Sequence, residues 1–324
     1  MKSSKYPIER NSKILLVGAQ GMVGSAIARL LHKLDYINVL TPGRQQIDLI
    51  NQAAVDSYLK QHRPEIIIIA AAKVGGIYAN STYRSEFLYD NLMIASNLIH
   101  GAYENKIERL LFLGSSCIYP KNSPQPLKED YLLKGPFEPT NEAYGLAKVA
   151  GLKMCQYYFE QYGCKYVSAM PTNLYGFGDN YHAENSHVLP ALIRRFHEAK
   201  LNKLPEVTLW GTGKVYREFL NVDDLADACL FLLENYQEPT TINVGTEDEF
   251  TIKDLAHMVK EIVGYEGVIV HDLSKPDGME RKKLDTTRIE KLGWKAKISL
   301  REGLEMTYKD FVTRYPNLRG IALN

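Results

Sequence analysis

Tyr144 and Lys148 stand four positions apart in the stretch Asn141-Glu142-Ala143-Tyr144-Gly145-Leu146-Ala147-Lys148. A helix running from there to about Tyr162 projects both from one face, one turn apart. A free phenol titrates near ~10, too high for acid-base work at neutral pH, and an adjacent ammonium is expected to favour the phenolate and lower that value. A tyrosine so tuned can give a proton to a carbonyl oxygen, or take one from a hydroxyl, while hydride moves at the carbon. In a chain with 21 tyrosines, however, Tyr-x-x-x-Lys arises by chance about 1.6 times. The pair gains meaning only from the elements that position it.

The first such element lies near the N-terminus. Lys13-Ile14-Leu15-Leu16-Val17 reads as a buried parallel strand, and Gly18-Ala19-Gln20-Gly21-Met22-Val23-Gly24 as a Gly-x-x-Gly-x-x-Gly turn into a helix over roughly 22–34. Glycines there allow a tight turn and let backbone N–H groups approach a pyrophosphate at the positive end of a helix. Gly18, Gly21, Met22, Val23 and Gly24 are therefore candidate dinucleotide contacts. A short strand near 38–40 leads to Thr41-Pro42-Gly43-Arg44, where an acidic residue would favour a free 2′-hydroxyl and an arginine a 2′-phosphate. Arg44 points to NADP(H). Asp48 and Leu49 resemble the pair that closes over adenine in such folds.

Glu65 to Ala70 is a third buried strand, ending in the small-residue stretch Ala71-Ala72-Lys73-Val74-Gly75-Gly76. A helix over about 85–105 groups Phe87, Met93, Ile94, Leu98 and Ile99 on one face, which suits core or subunit contact. A fourth strand, 109–113, delivers Gly114-Ser115-Ser116-Cys117-Ile118-Tyr119-Pro120 to the end of a parallel sheet where ligands bind. Ser115 or Ser116 could donate to a substrate carbonyl there, or simply cap a turn. After the Tyr144 helix comes a strand at 166–170. Alternating strands and helices across 13–170 predict a doubly wound parallel α/β sheet, Rossmann-like.

Beyond Pro171 the pattern loosens. A strand over about 215–224 is expected to lead into a helix to about Asn235, and a last strand of the main sheet is expected at 241–245, with helices near 251–263, 286–292 and 300–313 and a strand near 267–271. The expected organisation is a cofactor domain over 13–175 with returning segments near 215–245, and a smaller, partly discontinuous substrate lobe from 176–214 and 246–324.

Composition excludes several classes. The 324 residues are 45% hydrophobic and carry a net charge of +1, which offers no electrostatic reason for nucleic acid or an anionic membrane as partner. The cluster Arg281-Lys282-Lys283 could still serve a phosphorylated small molecule. The longest apolar run, 66–72, is far short of the ~20 residues of a membrane span, and no signal-peptide core precedes it. Cys117, Cys155, Cys164 and Cys229 show neither disulfide-rich density nor metal spacing. A cytoplasmic protein without a metal is expected.

Longer stretches carry a resemblance: Ala70 to Ile77, Leu113 to Pro120, Glu138 to Glu142, Met170 to Gly176, Asn185 to Val188 and Ser274 to Gly278. Over nearly the whole chain these are similar to the extended short-chain dehydrogenase/reductase family, in the branch of 3,5-epimerase-4-reductases acting on GDP-4-keto-6-deoxy-D-mannose. The resemblance implies that Ser115 holds the C4 carbonyl oxygen, that Tyr144 protonates it, and that Lys148 lowers the tyrosine pKa and binds the nicotinamide ribose. It implies Cys117 as base and His187 as acid in epimerisation, roles consistent with the acidity of the C3 and C5 protons beside a ketone. On its own, a cysteine after a strand is a small packing residue and a histidine at a helix start is often a cap.

The same matching adds Leu113, Gly114, Ser116, Pro171, Asn173, Leu174 and His187 to the cofactor contacts. Arg195, Trp210, Arg217 and Asp277 become the grip on the GDP-sugar, with Lys73, Asn91 and Asn173 as secondary contacts. A homodimer through a four-helix interface is implied as well. One departure from the family pattern is Ala19-Gln20, where a cation commonly stands, so Arg44 would be left to read the 2′-phosphate alone. Two alternatives within the family are reduction, with or without epimerisation, of a related GDP-4-keto sugar such as the colitose or 6-deoxyheptose precursor, and a UDP-sugar 4-epimerase. A non-catalytic NADP-binding regulator would be expected to have lost Ser115, Tyr144 or Lys148.

Overall fold

A computed structural model describes residues 4–183, 185–275 and 277–321. Pro276, within one of the resembling stretches, lies outside them. In chain order, β1 (Ile14–Val17), α1 (Met22–Lys33), β2 (Val39–Leu40), α2 (Gln52–His62), β3 (Ile66–Ile69), α3 (Ile77–Thr82), α4 (Arg84–Glu104), β4 (Arg109–Leu113), α5 (Glu142–Tyr162) and β5 (Lys165–Pro171) build the first half. Then follow β6 (Asn173–Tyr175), α6 (Val188–Leu201), β7 (Glu206–Trp210), β8 (Tyr216–Arg217), β9 (Phe219–Asn221), α7 (Val222–Asn235) and β10 (Ile242–Val244). The chain closes with β11 (Phe250–Thr251), α8 (Ile252–Val263), β12 (Val268–Asp272), β13 (Arg281–Lys282), α9 (Thr287–Leu292) and α10 (Leu300–Arg314).

Six parallel strands form the main sheet in the order β2-β1-β3-β4-β5-β10. The order reverses between β1 and β3, and at such a switch point the C-terminal strand ends open a crevice for a ligand. The strands are near-continuous apolar runs because both faces are covered. Ile14 and Leu16 of β1 point to one core with Ile27 and Leu31 of α1 and Leu225 and Leu232 of α7. Leu15 and Val17 point to a second core with Leu59 of α2, Leu98 and Ile99 of α4 and Leu152 of α5. The period of two along a strand divides the side chains between the cores.

A third core gathers Leu192 and Phe196 of α6, Leu209 of β7, Leu255 and Val259 of α8 and Phe311 of α10. Two of its helices start on capping side chains, Thr251 accepting from the Asp254 N–H at 3.0 Å and Ser299 from Glu302 at 3.3 Å. Strand β8 pairs with β11 and β13 in a separate small sheet, and β9 pairs with β6. Of the returning segments expected in the cofactor domain, β10 therefore joins the main sheet and β8 does not. Helices α2 and α3 were not anticipated. Helix α2 is short, and only Val55 and Leu59 of it are buried, too few to set a clear period.

Candidate active site

Helix α5 begins at Glu142, so Tyr144 and Lys148 occupy its first two turns, at the C-terminal edge of the sheet. The Lys148 ammonium is buried and donates to the Leu113 carbonyl at 2.8 Å. It lies 4.9 Å from the centre of the Phe112 ring and 5.6 Å from that of Tyr144. Burial pulls it down to about 7. Tyr144 is half-buried and bonds to the Ser115 hydroxyl, which brings the third expected member to the pair. Burial pushes the phenol well above its ordinary value, the charge of Cys117 adds to this, and the Ser115 bond opposes it. The expectation of a lowered phenol is thus not met in this structure. The ammonium is spent on a carbonyl and is itself easily deprotonated, so desolvation outweighs it.

Cys117 sits in a 3-10 turn, Ser116–Ile118, directly after Ser115, whose hydroxyl oxygen accepts the Cys117 N–H at 3.3 Å. Ser115 therefore both caps the turn and faces Tyr144. Ser116 is buried beneath. Cys117 is half-buried, and its sulfur accepts from Lys282 at 3.6 Å. His187 precedes α6 as its N-cap residue, yet its side chain makes no capping bond, so the imidazole is not consumed by the helix. Its surface is open, but surrounding protein and the charge of Lys282 hold the imidazole below its ordinary value.

On the cofactor side, Gly18 has φ +86°, and a Cβ there would come within 2.6 Å of the Ala71 backbone nitrogen. A Cβ on Gly24 would meet the Gly18 carbonyl at 2.1 Å. The turn is built for glycine, and α1 starts after Gly21 with no side-chain cap on its first N–H groups. This arrangement fits a pyrophosphate. Met22 and Val23 form the first turn of α1. Arg44 is exposed and, among the described residues, forms no ion pair. The Gln20 amide packs against Gly43, 3.1 Å from where a Cβ would stand, so the position that lacks a cation adjoins Arg44. Asp48 is held in a local turn by the Ile50 N–H at 3.0 Å, and Leu49 packs on the second core. Gly114 lies against Met170, Pro171 ends β5, Leu174 packs on the first core, and Asn173 donates to the Glu218 carbonyl at 2.8 Å.

On the substrate side, the Arg195 guanidinium lies 5.4 Å from the Trp210 ring, with Lys275 at 5.6 Å, distances typical of cation-π contact. Desolvation lowers both Arg195 and Arg217 from their ordinary values. Arg217 approaches Gly278, next to Asp277. Asp277 itself accepts from the Thr212 N–H at 2.7 Å, the Thr212 hydroxyl at 2.8 Å and the Gly213 N–H at 3.3 Å. Its carboxylate fastens the turn after β7. Arg194, next to Arg195 in sequence, is committed to Glu198 and to the Tyr181 and Gly320 carbonyls. Lys73 pairs with Asp90 at 2.9 Å, and Asn91 clamps the Lys73 backbone.

Two residues escaped the sequence reading. Glu218 is buried and accepts N–H groups from Thr246 at 2.5 Å and Leu284 at 2.9 Å. Lys282 was visible only as part of a basic cluster. The fold divides that cluster, with Arg281 on Glu249, Lys283 on the Glu247 carbonyl and Lys282 on Cys117. Only an adjacent strand pairing distinguishes the three.

Residues 14–245 match the NAD dependent epimerase/dehydratase family. The chain is 53% identical over 309 residues to the putative GDP-L-fucose synthase 2 of Arabidopsis thaliana, covering 95% of this chain and 94% of that one. It is 49% identical to the GDP-L-fucose synthase of Escherichia coli (strain K12), covering 95% and 99%. Among solved structures, a GDP-L-fucose synthetase from Naegleria fowleri bound to NADP superposes with TM-score 0.91 at 27% identity, covering 98% of each chain. A GDP-mannoheptose C4 reductase from Campylobacter jejuni with NADP bound superposes with TM-score 0.87 at 38% identity, covering 94% and 100%.

Proposed function

The chain belongs to the NAD dependent epimerase/dehydratase family, and on that footing we propose that it is an NADPH-dependent 3,5-epimerase-4-reductase converting GDP-4-keto-6-deoxy-D-mannose to GDP-L-fucose. The observation that carries this reading is identity of about half over nearly the whole length to GDP-L-fucose synthases. The clustering of Ser115, Tyr144 and Lys148 beside Cys117 supports it.

Cys117 takes a proton from the carbon next to the C4 ketone, and the electron pair moves onto the ketone oxygen, where Ser115 and Tyr144 donate to it. His187 returns a proton to the opposite face. Repetition at the second carbon completes the epimerisation. The Gly18–Gly24 turn, Arg44 and Lys148 would hold NADPH, and the chemistry it would supply there is hydride donation at C4. Tyr144 then gives its proton to the C4 oxygen. A phenol kept protonated by burial suits that step, since it acts as an acid. Arg195, Trp210 and Arg217 are the proposed grip on the GDP portion, with two guanidiniums suited to a diphosphate. Asp277 serves by shaping the turn beside Trp210.

A second reading rests on the heptose C4 reductase neighbour, which would correspond to reduction without epimerisation. Turnover of GDP-4-keto-6-deoxy-D-mannose with NADPH in deuterated water separates the two. Epimerisation places deuterium at C3 and C5 of GDP-L-fucose. Failure to form GDP-L-fucose, with reduction of a related GDP-4-keto sugar instead, overturns the first reading.

A homodimer is proposed through α4 and α5, which pack side by side and expose Tyr89, Leu146, Tyr157 and Tyr162. Of the α4 face read as core or subunit contact, Phe87, Leu98 and Ile99 are buried in this chain's own core. A cytoplasmic location is part of the same proposal; no described helix is long and apolar enough to cross a membrane.

A further inference from the structure

Three basic residues follow one another at 281–283, and their surroundings differ. Arg281 is neutralised by Glu249 through two hydrogen bonds. Lys283 donates to the Glu247 carbonyl at 2.7 Å. Lys282 has no carboxylate partner among the described residues, and its ammonium donates to the Cys117 sulfur at 3.6 Å. Strand β13 fixes this placement, since Lys282 is in register with Arg217 of β8 and Glu218, the next residue, holds the Leu284 N–H at 2.9 Å.

We propose that Lys282 is a positioning residue for epimerisation: its ammonium holds Cys117 as the thiolate, the form able to remove a carbon-bound proton. This rests on the assignment of Cys117 as the base. A thiolate is the reactive form of cysteine, and a neighbouring cation favours it. Among the described residues, the titratable groups that interact with Cys117 are the Tyr144 phenol from α5 and Lys282 from β13. Lys148 is turned to the Leu113 carbonyl and does not take part. In the proton step the substrate C–H bond breaks, an S–H bond forms on Cys117, and the electron pair passes to the C4 oxygen. Lys282 keeps its own proton throughout. Its charge also reaches His187 and works against protonation there.

The test compares the wild type with Lys282→Gln and Lys282→Arg in the full-length protein, with Cys117→Ala as the blank. The rate of Cys117 alkylation by iodoacetamide at neutral pH and the ultraviolet thiolate absorbance are read without substrate. Lys282→Gln is expected to lower the Cys117-specific alkylation rate at least about tenfold, and Lys282→Arg to retain most of it. Deuterium wash-in at C3 and C5 should shift to higher pH in Lys282→Gln, with kcat falling more than KM rises. Unchanged alkylation and absorbance in Lys282→Gln, with only a raised KM for the GDP-sugar, overturns the proposal and leaves Lys282 as a diphosphate contact. Full wash-in by Cys117→Ala would instead overturn the assignment of Cys117 as base, whatever the alkylation result.

Discussion

Tyr144 and Lys148 leave a single helix one turn apart, whereas Cys117 and Lys282 meet across 165 positions of chain. In the first pair Lys148 is buried and desolvated, with its ammonium down at about 7, and Tyr144 beside it is half-buried. The second group is half-buried to open, and its imidazole is held below its ordinary value partly by a charge from another strand. A proton donor used once, at the oxygen of a closed site, gains from burial. Residues that exchange protons at two carbons of a sugar must stay within reach of a substrate that shifts between them. Local geometry sets the first group, and long-range pairing sets the second.

The sharpest way to separate the regions is Tyr144→Phe. Reduction is expected to fall about a thousandfold while deuterium still enters C3 and C5, slowed by a smaller factor because Ser115 alone is left to donate to the C4 oxygen. Equal loss of both, read by mass spectrometry of the recovered nucleotide sugar, would merge the two regions into one.

The next largest effect concerns what anchors the second group. Burial pushes the Glu218 carboxyl from 4.5 up to about 7. Between those values the native protein holds a proton that the unfolded chain has released, so stability falls as pH rises through the window. The change is on the order of 3 kcal/mol. Glu218→Gln should flatten this slope in denaturant titrations between pH 4.5 and 7. An unaltered slope would show that Glu218 does not carry it.

Smaller is the cost of removing one member of the epimerase pair. His187→Ala is expected to slow GDP-L-fucose formation about a hundredfold with no change in Tm, because the side chain caps nothing. A fall in Tm would make it structural. Smallest is the cofactor side, where Gln20→Arg adds a cation next to Gly43 and Arg44. The ratio of kcat/KM for NADPH over NADH should rise about tenfold; no change would mean that position 20 does not face the 2′-phosphate.

Much of the main sheet could be read from the chain. The apolar runs at 14–17, 66–69 and 109–113 are strands because a sheet covered on both faces admits only such runs. The last strand at 242–244 was also anticipated. Helix α2 was not, since its buried positions are few. Among site residues, Ser115 was separable from Ser116 only by resemblance, and the structure shows Ser116 buried and Ser115 against Tyr144. Asp277, expected to grip the substrate, is engaged by Thr212 and Gly213; a carboxylate's partners are not encoded in its neighbours along the chain.

By itself the sequence determined the features that are local: the glycine turn with no room for a Cβ, and the i, i+4 spacing that puts Tyr144 and Lys148 on one helix face. Backbone geometry settles these within a few residues. Only the tertiary structure decided the electrostatics. It spent Lys148 on a carbonyl, raised the phenol instead of lowering it, and sent one lysine of three to Cys117. Desolvation and charge depend on what is near in space, and the strand pairing of β13 with β8 puts Lys282 there.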